Sequence, residues 1–230
     1  NLFHLPFSVV RKECFNLSAL EALLFGYNGL LGGNIDDVYC KELQTSFVYL
    51  QQKYQLENAI AIKPQFFKLR PDNFPTIRLA QLANLFHSQP QLFSKILEAK
   101  SIEELYQLFA FSTSKYWEEH YNFGLSCDKK NRKLSKAFKD LLIVNTVIPI
   151  LFAYQKSQDN DGTEALLAMI QNVSAESNHI IDKFKNYQVE VKNALQSQSL
   201  LQLKNNYCEK YKCLQCNIGI SILKNHDAVN

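Results

Sequence analysis

Apolar positions along this chain recur at helical spacing rather than in strand-like alternation. In "SALEALLFG" (18–26), Ser18 and Glu21 form a capping-box pattern ahead of an apolar run, and Gly26 or Gly29 is placed to end the helix. "NGLLGGN" (28–34) reads as a loop. "DDVYCKELQTSFVYLQQKY" (36–54) reads as an amphipathic helix with acidic residues in its first turn. No glycine occurs from residue 34 to residue 123, which disfavours a hairpin-rich sheet. Pro71 and Pro75 punctuate "LRPDNFPTIRLAQLANLF", and in the helix that follows only Arg78, Gln81 and Asn84 interrupt an apolar surface. Shorter helices are predicted over 90–99 and 101–111, the second opened by a Ser101–Glu104 capping box. "SKYWEEHYNFG" (114–124) reads as a short aromatic helix stopped by Gly124.

The most apolar segment, "LLIVNTVIPILFAY" (141–154), sits inside a long helix predicted over about 134–156, with a bend at Pro149. Its 14 residues include Asn145, Thr146 and Pro149, so it reads as a buried central helix too short to span a membrane. "SQDNDG" (157–162) is a loop, "TEALLAMIQNV" a helix, and further helices follow near 175–187 and 190–206. These patterns predict an all-α bundle of about nine helices.

At 230 residues the chain is a single all-α domain or two packed lobes, about 1–124 and 125–230. An apolar content of 47% with only 7 glycines excludes a disordered chain, and a net charge of +3 does not by itself imply nucleic acid. Six cysteines without a secretory leader point to a reducing, cytoplasmic setting. A start at Asn1 rather than methionine leads to the expectation of a fragment from a longer protein.

"YCEKYKCLQCNIG" (207–219) places Cys208, Cys213 and Cys216 at C-x4-C-x2-C spacing. A tight turn lets two thiolates spaced x2 grip one metal, and a third is within easy reach upstream. Zinc is the expected ion, with an iron–sulfur cluster second. Cys127, His179 and His226 are the candidates for a fourth ligand. The alternative is that these cysteines pack in the core as small apolar side chains.

"DKKNRKLSKAFK" (128–139) carries Lys129, Lys130, Arg132, Lys133, Lys136 and Lys139 against Asp128. On a helix, Lys129, Lys133 and Lys136, or Arg132, Lys136 and Lys139, would share one face able to hold a DNA or RNA backbone. A charge run of this kind is also a common solvated face. Arg78, Glu119, His120, Glu176 and Gln198 stand among apolar residues. They read either as one buried polar network that bridges helices or, through Glu176 or Glu119 with His120, as an acid–base pair. No Gly-rich phosphate loop, H-E-x-x-H motif or nucleophile elbow occurs.

"LRPDNFPTIRLAQLANLF", "YWEEHYNFG", "LLIVNTVIPILFAY", "SAESN", "SQSLLQLKNNYC" and "CLQCNIG" occur in this order, and "EALLFGYNGLL" precedes them. Together they resemble the C-terminal half of domain of unknown function 2851, a family of uncharacterised proteins found mainly in Bacteroidetes-type bacteria. The resemblance implies longer complete proteins, with an upstream part similar to a restriction-endonuclease-type (PD-(D/E)XK) core. On that reading this chain is the helical, nucleic-acid-binding accessory lobe of a nuclease-like protein. The competing reading is a structural interaction module with a zinc or packed-cysteine cluster.

Overall fold

Short polar side chains and prolines mark where helices begin. The computed structural model describes residues 4–57, 62, 64–159 and 161–227, and most of them are helical. It divides into two compact units: Asn1–Ala99 with Glu104–Ser135, and Lys100–Glu103 with Lys136–Asn230.

The N-terminal unit opens with α1 (Phe7–Glu13) and α2 (Leu17–Tyr27). The cap of α2 is Asn16, whose side chain accepts from the Ala19 amide at 3.1 Å, so the expected Ser18–Glu21 capping box does not form. Starting the helix earlier turns Glu21 inward, where it is fully buried. α3 (Val38–Tyr54) is capped by Asp37, which accepts from the Cys40 amide at 2.7 Å. α4 (Pro75–Ser88) starts on Pro75, whose missing N–H costs nothing at a helix start.

α2 lies against both α3 and α4 and is apolar almost all round, with Leu20, Ala22, Leu23 and Phe25 fully buried. Close approach to α3 requires Gly26: a Cβ there would stand 2.3 Å from the Phe47 ring. α5 (Leu92–Glu98) and α6 (Ile102–Leu108) follow, α6 crossing the division between the units.

The aromatic segment is helical only over α7 (Lys115–Glu119). The chain then turns into a two-stranded antiparallel hairpin, β1 (His120–Asn122) and β2 (Leu125–Ser126). Gly124, at φ +68°, takes the left-handed conformation the turn needs. Asp37 fixes this departure from the expected helix: its second carboxylate oxygen accepts from Tyr116 Oη at 2.8 Å and from the Gly124 amide at 3.2 Å. Trp117 is fully buried, stacked on Phe25 at 5.1 Å and set edge-on to Phe123 at 5.1 Å.

The C-terminal unit begins with one continuous helix built from α8 (Lys136–Leu142), a π-helical turn (Ile143–Val147) and α9 (Ile148–Ser157). Pro149 explains the wide turn. Its ring crowds the carbonyl four residues back, and the register is relieved by an i to i+5 bond in which the Ile148 amide donates to the Ile143 carbonyl. The helix is not the buried centre expected from its composition. Ile143, Val147 and Leu151 form one buried stripe, while Leu141, Ile150, Phe152 and Tyr154 are exposed. The 22-residue helix Lys136–Ser157, which contains an 18-residue window of mean hydropathy 1.6, is long and apolar enough to cross a membrane, by length and composition only. α10 (Thr163–Gln171), α11 (His179–Asn186) and α12 (Ala194–Leu203) pack around Leu166, Ile170 and Ile181. A second π-helical turn (Lys204–Cys208), a 3-10 turn (Cys213–Gln215) and α13 (Asn217–Asp227) end the described chain.

Glu21 is the charged exception inside α2. Its Oε2 accepts from Tyr39 Oη at 2.5 Å and from Trp117 Nε1 at 3.2 Å, while its Oε1 is buried without a hydrogen-bond partner among the described residues. Burial raises its pKa, and Tyr39, Trp117 and the neighbouring Ser114 hydroxyl offset only part of that. A carboxyl group with a raised folded-state pKa holds its proton better in the native chain. Its contribution is therefore complete below the ordinary glutamate value of 4.5 and is lost as pH rises through the folded value. Glu21→Gln should remove that loss. Melting temperature against pH is expected to fall less steeply above pH 4.5 in the variant than in the wild type, and parallel curves would contradict it.

Candidate functional site

The basic segment meets the structure first. Residues 128–135 are non-helical and the helix begins at Lys136, so of the basic residues expected along one helical face only Lys136 and Lys139 lie on a helix. Arg132 is only 4% exposed and is committed to the interior of the N-terminal unit. Its Nε donates to the Trp117 carbonyl at 2.9 Å, and its terminal nitrogens meet Asp72, the His120 carbonyl at 3.4 Å and Cys127 Sγ at 3.2 Å. A buried guanidinium needs such partners because desolvation of an unpaired charge costs several kcal/mol. Lys130 also pairs with Asp72, at 2.9 Å, and Lys129 with Glu118 at 3.4 Å, whereas Lys133 is exposed. Lys136 and half-buried Lys139 belong to the C-terminal unit.

The polar residues expected to form one network fall into two. Arg78 donates to Gln81 Oε1 at 2.8 Å and to Asn73 Oδ1 at 2.6 Å, and Gln81 Nε2 in turn donates to the Arg132 carbonyl at 2.8 Å. Burial lowers the Arg78 pKa, and nearby Asp72 offsets part of the effect. His120 stacks on Tyr116 at 4.0 Å, and its Nδ1 lies 2.9 Å from the Tyr116 carbonyl. The Glu119 side chain is exposed and, among the described residues, outside this network and not paired with a base. Asp72, Gln81 and Arg132 carry the connections instead.

The cysteines are separated from their expected roles in a different way. Cys208 and Cys213 are exposed and Cys216 is half-buried, so the trio does not form a packed core. Among the described residues no group of three His, Cys, Asp or Glu stands together as a metal site. Cys127 belongs to the N-terminal unit, His179 is exposed at the start of α11, and the side chain of His226 lies outside the described residues. Cys213 has a packing role through its backbone: a Cβ at Gly219 would stand 2.3 Å from the Cys213 carbonyl oxygen, so α13 sits directly against that turn.

The remaining pair, Glu176 and Gln198, lines a cleft of about 460 Å3 in the C-terminal unit. Asn178 caps α11 by accepting from the Ile180 and Ile181 amides at 3.0 Å, and Asn193 caps α12 by accepting from the Gln196 amide at 3.0 Å. These two starts hold the loop Ser174–Ser177 as one wall. Glu176 is fixed at both oxygens: Oε1 accepts from Asn178 Nδ2 and Oε2 from Gln198 Nε2, each at 3.0 Å. Its backbone amide donates to fully buried Ser197 Oγ at 3.1 Å. Across the cleft, Lys136 Nζ donates to Asp140 Oδ2 at 3.0 Å and to Ser174 Oγ at 2.9 Å. Ala137, Leu141, Val144 and Ala194 supply the apolar lining. Such a cleft, apolar with a few oriented polar groups, has the general form of a small-ligand site.

A model for a family described as a protein of unknown function, DUF2851, matches residues 2–179. The chain belongs to the DUF2851 family. Its matched span takes in the N-terminal unit's described residues, α8–α10 and the Glu176 loop, and ends on the first residue of α11. Gln198 and the cysteine segment lie beyond the DUF2851 match. No curated protein and no solved structure matches the chain.

The different settings of Arg132 and Lys133 give opposite expectations. Arg132→Ala should lower unfolding free energy by about 2–4 kcal/mol, since it orphans buried carbonyl groups and leaves a cavity. Lys133→Ala should stay within about 0.5 kcal/mol of wild type. Chemical denaturation of both variants checks this; equal, small effects would contradict the internal role of Arg132.

Proposed function

We propose that this chain is a binding and scaffolding lobe whose ligand site is the C-terminal cleft. The carrying observation is Glu176, a carboxylate oriented at both oxygens by side chains from separate structural elements and opening onto apolar surface. Orientation of this kind costs side-chain entropy and is repaid where a partner must meet a group in one position. In the N-terminal unit, by contrast, the hydrogen bonds of Glu21, Arg78 and Arg132 go to groups of the same unit, which is scaffolding chemistry.

A ligand-observed NMR screen of small anionic, cationic and neutral fragments tests the cleft. Hits should bind the wild-type chain and lose binding when Ala137→Trp fills the cavity. Absence of hits, or hits indifferent to that plug, would defeat the reading.

Nucleic-acid binding is a second reading, favoured by exposed Lys129, Lys130 and Lys133 on one extended segment. It would make the chain the accessory lobe of a nuclease-like protein. It predicts DNA or RNA affinity that falls steeply with salt and drops again in Lys129→Glu/Lys133→Glu. Affinity indifferent to the double substitution would remove this segment as the contact.

A further inference from the structure

We propose that the cleft takes a ligand bearing an ammonium or guanidinium group on a short apolar chain, with Glu176 as the carboxylate that receives it. This rests on the cleft being a ligand site and adds the chemistry of what enters. The charge inventory comes first. Lys136 faces Asp140 at 3.0 Å, so the two opposite charges in one wall compensate each other. Among the described residues, the Glu176 carboxylate is held by the amide groups of Asn178 and Gln198, which bond its oxygens without neutralising its charge. The lining therefore carries one more negative charge than positive, Lys136 against Asp140 and Glu176.

A second depression, of about 520 Å3, adjoins the first and shares Glu176 and Gln198 with it. Its lining adds Asn145, Gln202 and Asn205, so Glu176 is its sole charged residue, surrounded by carboxamides. Carboxamide oxygens accept hydrogen bonds, and a carboxylate accepts several. That combination suits a cation with multiple N–H donors, because each donor can find an acceptor while the charge meets Glu176. On the other side of Glu176, Ala137, Leu141 and Val144 provide apolar surface for the ligand's carbon chain. An anionic ligand would instead meet the Glu176 carboxylate at short range, in a site where water offers less screening than in bulk.

Binding is measured by ligand-observed NMR on the full chain with three probes of similar size: butylguanidinium, butyrate and 1-pentanol. Butylguanidinium should bind, butyrate should not, and Glu176→Gln should weaken the cation by roughly 10- to 100-fold, the loss of one charge-assisted hydrogen bond. The Gln side chain keeps the size of Glu176, and an unchanged melting profile establishes that the variant is folded. Butyrate or pentanol binding as well as butylguanidinium, with all three lost in Ala137→Trp, would overturn the cationic class and leave the cleft standing. No binding of any probe would defeat both readings. Two further probes separate the sources of such a group. Tighter binding of a doubly blocked arginine peptide marks a protein side chain as the ligand, and tighter binding of a free aminoalkylguanidine marks a small metabolite.

Discussion

A guanidinium removed from water must be surrounded by acceptors, and in this chain Arg132 imposes that requirement on the N-terminal unit. It lies in a non-helical segment, yet it bonds the carbonyls of Trp117 and His120, reaches Asp72 next to the start of α4, and touches Cys127 beyond the hairpin. Gln81 of α4 closes the set by donating to the Arg132 carbonyl. One residue therefore ties α7, the hairpin and α4 together, the first two through its side chain and α4 through its backbone carbonyl. Apolar packing of Trp117 on Phe25 and Phe123 then fills the space those bonds define.

The same economy governs α2. A helix surrounded by neighbours buries most of its faces, and burying Glu21 with them is tolerable only because Tyr39 and Trp117 donate to one oxygen and burial favours the neutral acid. Tyr39 stacks on Tyr116 at 4.3 Å, and Tyr116 donates to Asp37, the cap of α3. A continuous path of aromatic rings and hydroxyl groups thus joins two carboxylates of different character. Glu21 is deeply buried with a raised pKa; Asp37 is held below the usual range because three donors together outweigh its burial. Both arrangements stabilise architecture rather than present chemistry to solvent.

In the C-terminal unit the polar groups are used differently. Asn178 serves two masters, capping α11 with its oxygen and donating to Glu176 with its nitrogen. The local need to satisfy a helix start thereby orients a carboxylate on a cleft wall. Ser197 does the same for the loop backbone by accepting from the Glu176 amide. Helix capping thus fixes the position of one carboxylate on the cleft wall.

Much of this was legible from the sequence alone. Helical periodicity, scarce glycine and proline placement determined an all-α chain, because they report local backbone preference and the side of each helix that must leave water. Glu176 and Gln198 were legible as polar residues interrupting apolar stripes, but the sequence grouped them with Arg78, Glu119 and His120, and only the structure pairs them apart. The family that the motif order suggested is shown by the model match over residues 2–179. Tertiary structure alone decided that Arg132, one cation in a basic run, is internal, that Glu21 is a core acid rather than a cap, and that Asp140 and Ser174 complete a cleft with Lys136. It also decided that the most apolar helix buries a single stripe. These outcomes depend on which distant segment supplies an acceptor or a covering surface, and a linear pattern holds no information on a partner 15 to 60 residues away, the separations at which Arg132 meets Trp117 and Asp72.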